Sequence, residues 1–102
     1  MRVLVPLADG VEEIEAVTVI DVLRRGGIEV VSAALGHDRS VAGSRDVVLL
    51  ADTVWDELEI DSFGAIVLPG GGLGTENLAA DQRVLATLRA FAESDKFVAA
   101  IC

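Results

Sequence analysis

Four short stretches of this chain are apolar with little interruption: Val3-Leu4-Val5-Pro6-Leu7, the run from Ile28 to Ala34, Phe63-Gly64-Ala65-Ile66-Val67-Leu68, and Phe97-Val98-Ala99-Ala100-Ile101. By length and composition they read as strands, and the last as a fully buried one, the kind found in a parallel sheet with both faces covered by helices. A turn signal, Ala8-Asp9-Gly10, closes the first, Pro69-Gly70-Gly71-Gly72 follows the third at once, and Cys102 comes straight after the fourth. The apolar content of 52% with only 4% aromatics suits close-packed helices on a sheet better than an aromatic-rich binding surface.

Helical signals lie between the strands. Glu12, Glu13 and Glu15 crowd the start of a helix running through about Arg25, where acids complement the positive end of the dipole, and Gly26-Gly27 close it. With the flanking strands this makes a βαβ unit. Ala16, Val17, Val19, Ile20, Val22 and Leu23 cover more than one face of that helix. One apolar stripe is enough to lie on a sheet, so the surplus points to a second buried contact, most simply a subunit interface. Val84, Leu85, Leu88, Phe91 and Ala92 recur at helical spacing, which predicts an amphipathic helix from Asp81 to Ser94. Val47 to Leu50 reads as one strand of a small hairpin, and Trp55, in the acidic stretch from Asp52 to Asp61, as a packing anchor.

Length, charge and cysteine usage narrow the class. At 102 residues the chain holds at most one domain. Eight basic against seventeen acidic residues give 8 − 17 = −9, which argues against nucleic acid and anionic membrane as partners. No apolar run approaches the ~18 residues that span a bilayer, and the first residues lack the pattern of a secretory signal. A single cysteine makes no internal disulfide and favours a reducing interior. The expectation is a soluble, acidic, cytoplasmic α/β domain, with no cofactor and no metal called for.

Three features fall at carboxyl ends of predicted parallel strands: the glutamates after the first, the glycine run after the third, and Cys102 after the fourth. Parallel strands bring such ends to one edge, where α/β proteins place their ligands. Pro69-Gly70-Gly71-Gly72 is either a tight loop or a stretch of backbone that approaches a ligand and aims N–H groups at a developing oxyanion. It lacks the Lys-Ser/Thr of a P-loop and the spacing of a dinucleotide fingerprint. The glutamates are either a solvated helix start, or one of them faces the thiol, where burial would favour its protonated form. His37 lies in a polar loop and is expected to be exposed.

Together the stretches Ala8–Val17, Asp21–Ile28, Ser44–Val48, Val67–Gly71 with Leu73-Gly74 and Asn77-Leu78, and Val98–Cys102 carry a family pattern in order across the whole chain. The chain resembles the DJ-1/ThiJ/PfpI superfamily, and within it the DJ-1/YajL-like subgroup. The resemblance implies a flavodoxin-like, Rossmann-like sandwich with a mostly parallel sheet, usually a homodimer, in which the cysteine sits on a strained strand-to-helix elbow. By position, Cys102 corresponds to the oxidation-sensitive nucleophile and Glu15 to a buried, protonated glutamate hydrogen-bonded to the cysteine sulfur. Gly71, beside Gly70, corresponds to the backbone N–H of the anion pocket. Arg25 and Arg45 correspond to arginines near the subunit interface and pocket mouth. Gly72 stands where DJ-1 itself has a larger polar residue.

In the family the elbow continues with small residues and proline, and a histidine further on lies near the cysteine; none of these is in this chain. Residues 1–102 are therefore expected to be the N-terminal portion of one such domain, incomplete alone. The remainder is expected as a separate polypeptide after severance at Cys102, in preference to truncation. The activity implied is cysteine-dependent conversion of reactive 2-oxoaldehydes or their adducts, of glyoxalase or deglycase type, in stress defence. A redox-responsive chaperone or stress sensor with Cys102 as its switch is the alternative. Amide or peptide hydrolysis lacks a visible general-base histidine.

Overall fold

The computed structural model describes residues 1–102. In chain order the elements are β1 (Arg2–Leu7), α1 (Glu13–Arg25), β2 (Glu29–Ala34), β3 (Ser40–Ala42), β4 (Val48–Leu50), β5 (Thr53–Val54), 3₁₀ turns at Trp55–Glu57 and Ile60–Ser62, β6 (Ala65–Leu68), α2 (Gly72–Ala80), α3 (Gln82–Glu93) and β7 (Phe97–Ala100). Five strands form one parallel sheet in the order β5-β2-β1-β6-β7, and β3 and β4 make a separate antiparallel hairpin. No helix is long and apolar enough to cross a membrane.

Period-two alternation divides the core between the two faces of the sheet. Val3, Val5 and Leu7 of β1 join Val30, Ala34 and Ala65 under Ala16 of α1. Leu4 joins Ala33 and Ile66 on the opposite face, against Leu78 of α2, Val84 and Phe91 of α3, and the rings of Trp55 and Phe63. Register explains the match: Val3 is level with Val30 and Ala65, and Leu4 with Val31 and Ile66. The chain thus forms the three layers of a flavodoxin-like α/β fold, in part, with Trp55 as a buried packing anchor.

Local chemistry sets the helix ends. Gly26 N–H reaches Val22 O at 3.1 Å, and Gly27 follows with φ +82°, so the paired glycines close α1. Arg24, in the last turn, donates to Val30 O at 2.8 Å and to Asp52 at 2.7 Å. Asp52 also accepts from Ser32 N–H and Oγ, which satisfies the buried hydroxyl within an apolar strand. Asp81 caps α3 by accepting from Arg83 N–H at 2.9 Å, and the Arg83 guanidinium hydrogen-bonded to it holds its carboxyl below the usual range.

The sequence expectations meet two departures. Helix α2 and the short elements from Thr53 to Ser62 were not foreseen. The run at Phe97–Ile101, expected as a fully buried strand, is instead the edge strand β7. Every residue of β7 is exposed, with Phe97 63% accessible: α3 touches the strand, but α1 lies over β1 and β2, and no strand pairs with the outer edge of β7.

Candidate active site

The site forms where the strand order reverses. From β1 the chain turns to β2 on one side, whereas β6 and β7 add on the other, and α/β proteins open a ligand crevice at such a point. The segments leaving β1 and β6 meet there: Glu12 N–H donates to Gly70 O at 2.9 Å, and Gly70 N–H donates to Glu15 Oε1 at 2.9 Å. These reciprocal bonds pin the glycine loop to the first turn of α1.

Both loop glycines are required by geometry. A Cβ on Gly70 would press on the Glu15 carboxyl and come within 2.9 Å of both Cys102 Cβ and Ile101 O. Gly70 is thus a spacer one atom thick between the carboxyl of α1 and the thiol-bearing residue after β7. Gly71 adopts φ +106°, a left-handed conformation, and a Cβ there would lie 2.7 Å from Glu12 N. Gly71 caps α2, its own N–H bonds no protein group, and the residue lines the hollow in front of Cys102.

An open hollow of about 460 Å³ lies here, lined by Glu12, Glu15, Gly71, Gly72, Thr75 and Cys102. A smaller apolar hollow of about 160 Å³ lies on the other side of Cys102, walled by side chains that include Leu68, Leu78, Val84 and Ile101. Ile101 N–H bonds Leu68 O at 3.0 Å, so the residue before the thiol keeps sheet register past the last strand residue. Cys102 itself is exposed with φ +67°, in the left-handed region that a non-glycine residue seldom occupies.

The three glutamates have separate roles. Glu15 is half-buried, not fully buried as the resemblance implied, because its hollow opens to solvent. Glu12 shares that hollow. Glu13 points the other way, into the loop of the hairpin, and accepts from Ser44 Oγ at 2.9 Å, Arg45 N–H at 2.8 Å and Val47 N–H at 3.2 Å. Burial pushes the Glu13 carboxyl up, but these hydrogen bonds and one from its own backbone outweigh it and hold the pKa at about 2. Glu13 is a structural clamp between α1 and the hairpin.

Arg45 lines an adjoining hollow that shares Gly72 with the site, while its guanidinium donates to Ser44 O at 3.3 Å. Arg25 stands ten residues along α1 from Glu15, ~15 Å at 1.5 Å per residue, and pairs with Asp21 at 2.9 Å. That is the far end of the helix from the thiol, so Arg25 does not line the hollow at Cys102. His37 is exposed in a different hollow, beside Leu7, Asp9 and Asn77 beyond β1 and β2. Sequence reasoning missed Thr75 as a wall of the site. Its one signal was a position four residues after Gly71, on the same helix face, legible only once α2 is known to be a helix.

A parallel sheet in partial flavodoxin-like order, with thiol, carboxyl and free amide at its reversal point, defines the class. The chain belongs to the DJ-1/PfpI family, whose model matches residues 1–102. It is 50% identical over 101 residues to protein DJ-1 homolog B of Arabidopsis thaliana, covering 99% of this chain and 23% of that protein. It is 31% identical to a deglycase of Thermococcus kodakarensis, covering all of this chain and 60% of that protein. Among solved structures, an oxidised DJ-1 of Toxoplasma gondii superposes with a TM-score of 0.95 at 40% identity, over 99% of this chain and 55% of that one. The chain thus spans between about a quarter and three fifths of these relatives.

Proposed function

We propose that this chain supplies the nucleophile half of a cysteine-dependent enzyme acting on reactive 2-oxoaldehydes or their adducts. The observation that carries the reading is Gly70, whose N–H binds Glu15 at 2.9 Å while its Cα leaves no room for a side chain beside Cys102. A carboxyl and a thiol so close, with an unpaired amide next to them, match the needs of carbonyl addition and proton transfer. The deglycase among the relatives supports the same substrate class.

The Cys102 sulfur adds as thiolate to the aldehyde carbon. A C–S bond forms, the carbonyl π pair moves to oxygen, and the Gly71 N–H faces the resulting oxyanion. Protonation gives a hemithioacetal. Glu15 then takes the proton from the former aldehyde carbon and returns it to the neighbouring carbon, whose carbonyl becomes a hydroxyl while the former aldehyde carbon becomes a thioester carbonyl. Water releases the 2-hydroxy acid and returns the thiol. The oxidation of one carbon balances the reduction of the other, so no outside oxidant is consumed.

Three partnerships belong to the proposal. The part of the relatives' fold that this chain does not span covers β7. A second copy of the assembled domain meets the exposed Ile14, Val17 and Val22 of α1, with Arg25 at that interface and Arg45 at the pocket mouth. A small carbonyl compound fills the hollow. The unpaired Gly71 N–H beside Cys102, a donor for an oxidised sulfur, favours one second reading, a redox-responsive chaperone with the thiol as switch. Parallel assays of methylglyoxal consumption and client aggregation on the assembled domain separate the two, using wild type, Cys102→Ser and Glu15→Gln. Loss of turnover with unchanged suppression of aggregation supports the enzyme; no turnover by the wild type overturns it.

A further inference from the structure

We propose that Thr75 is the specificity-determining residue of this site, its hydroxyl donating a hydrogen bond to the second carbonyl oxygen of a dicarbonyl bound at Cys102. The inference rests on the 2-oxoaldehyde reading above and names the group that selects for it. Thr75 and Cys102 are the two residues common to the hollows on either side of the thiol. Among the residues lining the larger hollow, Thr75 alone has a hydroxyl: the other side chains are two carboxyls and the thiol, and the rest is glycine backbone.

That hydroxyl is free. A threonine inside a helix commonly donates to the carbonyl four residues back, and Thr87 of α3 does so, to Arg83 O at 2.9 Å. Thr75 makes no such bond: it is exposed at the rim of the hollow, its backbone N–H serves Gly71 O at 2.8 Å, and its hydroxyl is left to water or a ligand. Gly71, Gly72 and Thr75 fall at i, i+1 and i+4 of one helix start, so amide and hydroxyl share a wall. A 2-oxoaldehyde presents two adjacent oxygens. When the first becomes an oxyanion at the Gly71 N–H, the second still needs a donor, and the Thr75 hydroxyl is the one hydroxyl in the hollow's lining. A simple aldehyde has no such second need.

The test compares Thr75→Val, which keeps the shape and removes the hydroxyl, with Thr75→Ser, which keeps the hydroxyl, in the assembled domain. Protection of Cys102 from alkylation reports hemithioacetal formation with methylglyoxal or with propanal. The inference expects Thr75→Val to bind methylglyoxal about 3- to 10-fold more weakly, the worth of one hydrogen bond, with propanal unchanged and Thr75→Ser close to wild type. Equal weakening for both aldehydes in Thr75→Val assigns the residue to packing and overturns the inference. Wild-type behaviour with both aldehydes overturns it too, while leaving the dicarbonyl reading standing. A wild type that protects Cys102 with neither aldehyde overturns that reading and this inference together.

Discussion

Replacing Gly70 by alanine tests the geometry of the site with a single methyl group. The added Cβ would sit 2.9 Å from Cys102 Cβ and from Ile101 O while pressing on the Glu15 carboxyl. Carbon atoms in contact prefer about 3.5–4.0 Å, so the neighbours have to move by roughly 0.6–1 Å. Glu15 is the softest of them, and moving it also breaks its bond from Gly70 N–H. Overpacking of this kind costs about 1–3 kcal/mol, and the lost hydrogen bond about 1 kcal/mol within the same displacement. We expect Gly70→Ala to lower the unfolding free energy by about 2–3 kcal/mol. Gly72→Ala is the control: a Cβ there meets nothing within 4 Å, and the first helical position gains up to about 1 kcal/mol from the alanine. Urea denaturation of both variants, with matched m-values, measures the difference. Equal stability, together with an unchanged rate of Cys102 alkylation, would refute the spacer role.

Other consequences are equally direct. Glu13, with its folded-state pKa lowered to about 2 from 4.5, stabilises the fold above its unfolded pKa, and that contribution disappears as pH falls from about 4.5 through 2. Glu13→Gln is therefore expected to be less stable than wild type at pH 6, with the gap closing towards pH 2 in a series of denaturation curves; a gap constant with pH contradicts the clamp. Asp81→Ala removes the α3 cap and is expected to cost about 1 kcal/mol by the same denaturation assay, whereas no loss would mean that the Arg83 and Val84 amides find other acceptors. Phe97→Lys, on the exposed edge strand, is expected to reduce self-association of the chain in sedimentation with little change in its unfolding midpoint.

The strands of the parallel sheet could be read in the sequence because burial on both faces writes itself as apolar runs, and β1, β2 and β6 lie where Val3–Leu7, Ile28–Ala34 and Phe63–Leu68 placed them. Helix α1 could be read from its acids and closing glycines, and α3 from its period and Asp81. Helix α2 could not. Gly72 and Gly74 weaken its local signal, and Gly74 is demanded by a contact distant in sequence, since a Cβ there would come within 2.8 Å of Val11 N and Cα. The residues from Thr53 to Ser62 carry no period, and their short turns are organised by burial of Trp55 and Phe63. The convergence of glutamate, glycine loop and cysteine on one rim followed from strand polarity alone. Which glutamate faces the thiol did not, because Glu13 and Glu15 differ only in the partners that the hairpin and the β6 loop bring to them. The exposure of β7 departed from the pattern because a run of apolar residues records what its strand is suited to bury against, and this chain supplies no cover on that side.

The most direct measurement is peptide mass spectrometry of the assembled domain after brief exposure to methylglyoxal, mapping where the aldehyde first attaches. The account predicts an adduct on Cys102 that is absent in Cys102→Ser and slower to resolve in Glu15→Gln. Modification spread over the surface arginines, with Cys102 left untouched, would contradict it.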